Sequence, residues 1–83
     1  MIEYIIAPCR TKATFSAKPV KQARLNLKSI GKEFDVEIET PTALFIAEHG
    51  GIIVHNYGEI FFKTLTDEAL IKKLADRIYK AGA

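Results

Sequence analysis

The chain has 83 residues, 48% hydrophobic and 27% charged, with five glycines and three prolines. That length gives one domain, residues 1–83, with one core, and the composition excludes disordered and fibrous classes. The longest apolar runs are a handful of residues, far below the ~20 that span a bilayer, and the N-terminus carries no signal-peptide core. Twelve Lys/Arg against ten Asp/Glu leave a net charge of +2. Cys9 is the only cysteine, so no internal disulfide forms and a cytoplasmic protein is expected.

Residues 2–7 alternate Ile2, Tyr4 and Ile6 against Ile5 and Ala7, which predicts a strand ended by Pro8. Ser16 can cap a helix over 17–30, with Pro19 in its first turn. Val20, Ala23, Leu27 and Ile30 fall on one face of that helix, and Gly31 stops it. Ala23, Leu25 and Leu27 also alternate, which leaves a strand as the alternative there. Residues 33–40 alternate strictly, with Phe34, Val36 and Ile38 opposite the acids, and predict a strand. Pro41 marks a turn. Strands follow over 42–48 and 52–56, joined by a two-residue turn at Gly50-Gly51, and a last one over 59–64. Thr66 is placed to cap a helix over 67–81 whose stripe is Leu70, Ile71, Leu74, Ala75, Ile78 and Tyr79.

The order is then β-α-β-β-β-β-α. It predicts an α+β two-layer sandwich with a mainly antiparallel five-stranded sheet and two helices on one face. Two-residue turns at 40–41 and at Gly50-Gly51 would pair Glu37 with Leu44, Glu48 with Ile53 and Ile46 with His55. Phe34, Val36, Ile38, Ala43, Phe45, Ala47, Ile52 and Val54 would face the helices. The outer face would collect Glu33, Asp35, Glu37, Glu39 and Glu48 with Leu44, Ile46, Ile53, His55 and Tyr57.

Charge is segregated along the chain. Residues 1–32 hold seven Lys/Arg against Glu3 alone, whereas residues 33–59 hold six acids and no Lys or Arg. Carboxylates two residues apart on a strand stand ~6.7 Å apart, within reach of one cation for long Glu arms. A weak Ca²⁺ or Mg²⁺ site is therefore expected at Glu33, Asp35, Glu37, Glu39 and Glu48, with His55 as a secondary candidate. The same face is alternatively an interaction surface for a basic protein partner or a second copy, or a solvated face that keeps the sheet from stacking. The basic segment offers a third reading, an anion or nucleic-acid site at Arg10, Lys12, Lys18, Lys21, Arg24 and Lys28, although an acidic sheet would repel a polyanion. His49 and His55 fall on opposite faces, so a zinc centre is not expected. Cys9 has no base near it in sequence and is read as an inert thiol. There is no nucleophile elbow or Gly-rich nucleotide motif, and a non-enzymatic domain is expected.

From Pro41 the chain reads Thr-Ala-Leu-Phe-Ile-Ala-Glu, a hairpin, Gly58-Glu59-Ile60-Phe61-Phe62, then Thr66-Asp67-Glu68 and a long amphipathic helix. Residues 41–82 resemble one half-repeat of the TATA-binding protein family, and the chain also resembles short uncharacterised archaeal α+β proteins. The first resemblance implies a sheet that meets the DNA minor groove with Phe wedges. Here one half-repeat is present and its sheet carries an acidic strand, so no site residues are carried over. The second resemblance implies a cytoplasmic protein of unassigned role.

Overall fold

The structure, a computed structural model, describes residues 2–9 and 13–82. Strands β1 (Tyr4–Pro8) and β2 (Phe15–Pro19) are followed by helix α1 (Leu27–Gly31). Strands β3 (Val36–Glu39), β4 (Ala43–Ile46), β5 (Ile52–His55) and β6 (Ile60–Phe62) lead into helix α2 (Glu68–Gly82). The strands form one antiparallel six-stranded sheet in the order β1-β2-β6-β5-β4-β3. Both helices pack on one face of it, where Leu27, Ile30, Ile71, Leu74, Ala75, Ile78 and Tyr79 meet Ala17, Leu44, Ile46, Ile52, Val54, Ile60 and Phe62. The α+β class and the antiparallel sheet with two helices match the sequence expectation. No helix among the described residues is long and apolar enough to cross a membrane.

The sheet has six strands where five were expected, because the segment read as a helix over 17–30 is divided. Its start belongs to β2, and only Leu27–Gly31 is helical. Strand β2 pairs with β1 over its whole length and with β6 over Phe15–Ala17. Pairing on both sides outweighs the modest preference of a short amphipathic segment for helix. Pro19 is tolerated because it lies beyond the stretch that β6 pairs, so no ladder bond needs its missing N–H. Asn26 caps α1 by accepting the Ser29 N–H at 3.2 Å.

The cap of α2 is Asp67 rather than Thr66. Its carboxylate accepts the backbone N–H groups of Ala69 at 3.1 Å and Leu70 at 3.3 Å, which satisfies donors the first turn leaves open and places negative charge at the positive end of the helix dipole. Further along, the buried Tyr79 hydroxyl donates to the Gly58 carbonyl at 2.6 Å and ties α2 to the turn between β5 and β6. Tyr4 stands beside it with ring centroids 4.7 Å apart, and its hydroxyl donates to Asp76 and to the Lys72 carbonyl.

Burial pushes the hydroxyls of Tyr79 and Tyr4 above the ordinary tyrosine range; the neighbouring Tyr4 adds to the shift of Tyr79, and Asp76 adds to that of Tyr4. The folded chain then holds these protons after the unfolded chain, ionising near pH ~10, has lost them. Stability from this source is complete below about pH 10 and falls as pH rises further, with a slope approaching ~1.4 kcal/mol per pH unit for the one proton of Tyr79. Urea unfolding on either side of that pH is expected to show the decline, and Tyr79→Phe to flatten it. An equal decline in both proteins would assign alkaline unfolding to other groups.

Candidate functional site

Register decides which side chains meet the helices. Ile46 pairs with Ile52, Leu44 with Val54, and Phe45 with Ile53. The connection from β4 to β5 is not a two-residue Gly50-Gly51 turn. It is a longer loop with a 3-10 turn over Glu48–Gly50, in which His49 (φ 55°), Gly50 (φ 80°) and Gly51 (φ 106°) all take positive φ. His49 is thus a loop-tip residue. The longer loop shifts the pairing by an odd number of residues, and an odd shift exchanges faces. Leu44 and Ile46, placed on the outer face by the sequence, are 0% and 1% exposed under the helices. Phe45 and Ile38, placed in the core, lie on the opposite side, paired with each other.

That opposite side has no layer over it among the described residues. One row runs across five strands: Ile38, Phe45, Ile53, Phe61 and Ser16. Next to it, Ala43 pairs with His55, which stacks on Tyr57 at 5.0 Å and takes the edge of Phe61 at 5.4 Å. Ile38 is 51% exposed and Tyr57 56%. The Tyr57 hydroxyl donates to Glu59 at 3.3 Å, and its ionisation is pushed up by burial and by that carboxylate. Glu59 also pairs with Lys18 at 3.3 Å. The uncovered face is therefore largely apolar and aromatic, with the Lys18–Glu59 pair on it and the exposed Lys63 beside Gly51 at its β6 end. The signal for this is present in the sequence. An antiparallel sheet with one wet face alternates apolar and polar residues, whereas Ala43-Leu44-Phe45-Ile46, Ile52-Ile53-Val54 and Ile60-Phe61-Phe62 are apolar without a break, the pattern of strands covered on both faces.

The acids do not form one stripe on this face. Strand β3 carries an irregularity between Val36 and Ile38, with Glu37 at the extra position. Glu39 pairs with Leu44 on the helix-covered side, and its carboxylate lies near Gly31. Glu48 accepts the Asp35 N–H at 2.6 Å. The Glu33 carbonyl accepts from Arg77 at 2.5 Å, while the guanidinium of Arg77 sits 4.3 Å over the Phe34 ring. Asp35 and Glu48 are thus brought together, and Glu33, Glu37 and Glu39 are spread along the β3 edge. Among the described residues no group of three or more His, Cys, Asp or Glu side chains is placed to hold a metal ion. That edge nonetheless stays acidic, since the one ion pair among the described residues is Lys18–Glu59.

The basic candidates divide in a similar way. Lys18 is on the uncovered face, Arg24 and Lys28 line a cleft of about 260 Å³ with Glu39 and Asn56, and Lys21 lines another with Ile2 and Glu3. Arg10 and Lys12 lie outside the described residues. Cys9 is half-buried, with its N–H bonded to the Thr14 carbonyl at 3.1 Å. No protein-family model, curated protein or solved structure matches the chain.

Proposed function

We propose that the chain is a non-enzymatic protein-interaction domain, and that its uncovered sheet face receives a partner presenting apolar side chains bordered by basic ones. The observation that carries this reading is the unbroken apolar run of β4, of Ile52–Val54 in β5 and of β6, on a sheet with helices on one side only. Water on Ile38, Phe45 and Ile53 is a cost that a partner's apolar surface removes, at ~25 cal/mol per Å². The partner's charge follows from the border. Asp35 and Glu37 are exposed along the β3 edge and form no ion pair with a described residue, while Glu33 lies beside Arg77. A basic rim on the partner complements them and speeds encounter, and the same acids disfavour a nucleic-acid backbone.

The test is an amide-shift titration with short synthetic peptides. An amphipathic Leu/Lys peptide is expected to give saturable shifts at Ile38, Phe45, Ile53 and Phe61. A Lys/Ser peptide, which has the charge alone, and a Leu/Glu peptide, which has the apolar surface with the opposite charge, are expected to bind at least tenfold more weakly. Saturable shifts confined to 33–39 and Glu48 on adding Ca²⁺ or Mg²⁺, with none from the Leu/Lys peptide, would replace this reading by the cation site. Shifts across the same face from a DNA duplex would replace it by nucleic-acid binding. Broadening of the face with protein concentration alone would make a second copy its occupant.

A further inference from the structure

We infer that the free edge of β1 is a homodimerisation site, at which two copies join their sheets antiparallel about a two-fold axis through Ile5. The two edges of the sheet are built differently. Edge strand β3 carries Glu37 and Glu39 and an irregularity at Glu37, which are devices that discourage a further strand. Edge strand β1 reads Tyr-Ile-Ile-Ala-Pro, regularly paired with β2 from Tyr4 to Pro8, and has neither charge nor bulge. Ile5 is 59% exposed on the uncovered side of the sheet.

Hydrogen-bond phase along β1 gives the register. The Val20 N–H donates to the Glu3 carbonyl at 2.9 Å, and the Cys9 N–H to the Thr14 carbonyl at 3.1 Å. Glu3, Ile5, Ala7 and Cys9 therefore turn their backbone groups toward β2, and Tyr4, Ile6 and Pro8 turn theirs outward. Tyr4 and Ile6 each present an N–H and a C=O to which no described residue is bonded, whereas Pro8 has no N–H and closes the ladder. A second copy of β1 meets these groups fully when Tyr4 of one chain lies opposite Ile6 of the other. That register places Ile5 opposite its own copy in a non-hydrogen-bonded pair, where side chains approach most closely. Moving the partner so that Tyr4 opposes Tyr4 would set Ile5 against Glu3. The opposite shift would spend the second Tyr4 contact on Pro8, which lacks a donor. Like the two shifted registers, the one centred on Ile5 is isologous, and it alone pairs Tyr4 with Ile6 in both directions and sets the two exposed isoleucines against each other. The dimer has one continuous sheet with both helical layers on the same side. Its apolar faces stay open, so it does not depend on the binding role proposed above.

The test is disulfide trapping in a Cys9→Ala background. Across a non-hydrogen-bonded pair the Cα atoms are ~4.5 Å apart, within the 4.4–6.8 Å span of disulfides. Ile5→Cys is expected to form a reducible covalent dimer in glutathione buffer at least tenfold faster than Ala7→Cys, whose copies would stand ~13 Å apart along the strands. In the unmodified chain, hydrogen exchange at Tyr4 and Ile6 is expected to slow as concentration rises, and Ile5→Lys to abolish that effect while leaving the Tm of the dilute protein unchanged. Equal trapping of Ile5→Cys and Ala7→Cys, or a chain that sediments as a monomer at about 1 mM, where even millimolar association is visible, would overturn the inference.

Discussion

Phe62→Ala is expected to cost about 3–5 kcal/mol and so to remove most of the domain's stability. Phe62 is fully buried, opposite Phe15 on β2 and Ile52 on β5, and it faces the helices from the middle of the sheet. Its cross-strand partner Ile52 and its neighbour Ile60 are themselves fully buried and held in the sheet, so they cannot move to fill the space of a benzyl group. A chain of this size has on the order of 4–12 kcal/mol to lose. With ~4–8 °C of Tm per kcal/mol, a fall of more than about 12 °C follows, measurable by thermal circular dichroism. The same truncation one residue away, Phe61→Ala, removes a half-exposed ring from the uncovered face and is expected to cost about 1 kcal/mol. Equal losses at the two positions would contradict the assignment of faces.

Gly58→Ala is expected to cost about 2–5 kcal/mol through two separable causes. Gly58 has φ +110°, a conformation that a residue with a Cβ seldom adopts, so strain arises whatever the neighbours. A Cβ there would also stand 2.7 Å from Pro19 Cγ and 3.2 Å from Pro19 Cδ. A closed ring cannot swing aside as a long side chain does. The carbonyl of Gly58 receives the Tyr79 hydroxyl and its N–H donates to the His55 carbonyl at 3.0 Å, so a shift of this turn loosens α2 as well. Pro19→Ala in the same background is expected to recover the clash but not the strain, roughly half of the loss by denaturant unfolding. No recovery would assign the whole effect to backbone conformation.

Much of the architecture could be read before any coordinates. Helix α2 was legible because Ile71, Leu74, Ala75, Ile78 and Tyr79 keep the 3.6-residue period and are all buried. The β3–β6 meander was legible because Pro41, Gly50-Gly51 and Gly58 punctuate it. Two features were not. Strand β2 was hidden because its partners are distant in sequence, β1 and β6, while Leu27 and Ile30 share with Val20 and Ala23 a spacing that mimics a helix. The face was inverted because Gly50-Gly51 was counted as a complete turn, whereas His49 also takes a positive φ and lengthens the loop. Parity then turned the wrong side of β4 toward the helices, whereas Ile52 and Val54 of β5 were placed in the core correctly.

The candidate site failed for a related reason. Strict alternation in Glu-Phe-Asp-Val-Glu-Ile-Glu promised four acids on one side, but strand pairing begins only at Val36 and breaks step at Glu37. An edge strand is held by one neighbour and tolerates such a break, which no local pattern announces. The better signal was the missing alternation in the strands that follow. Phe45, Ile53 and Phe61 are the residues a solvated face should have made polar.

The most direct measurement of the central claim, that the uncovered face is a contact surface, is the affinity of the amphipathic Leu/Lys peptide for the unaltered chain and for Ile53→Glu, taken by calorimetry together with the Tm of each protein. Ile53 sits in the centre of the apolar row and is only half-buried, so the variant is expected to fold with Tm lowered by a few degrees at most. Its Kd for the peptide is expected to rise at least tenfold, about 1.4 kcal/mol of binding free energy. An unchanged Kd in a folded variant would contradict the account.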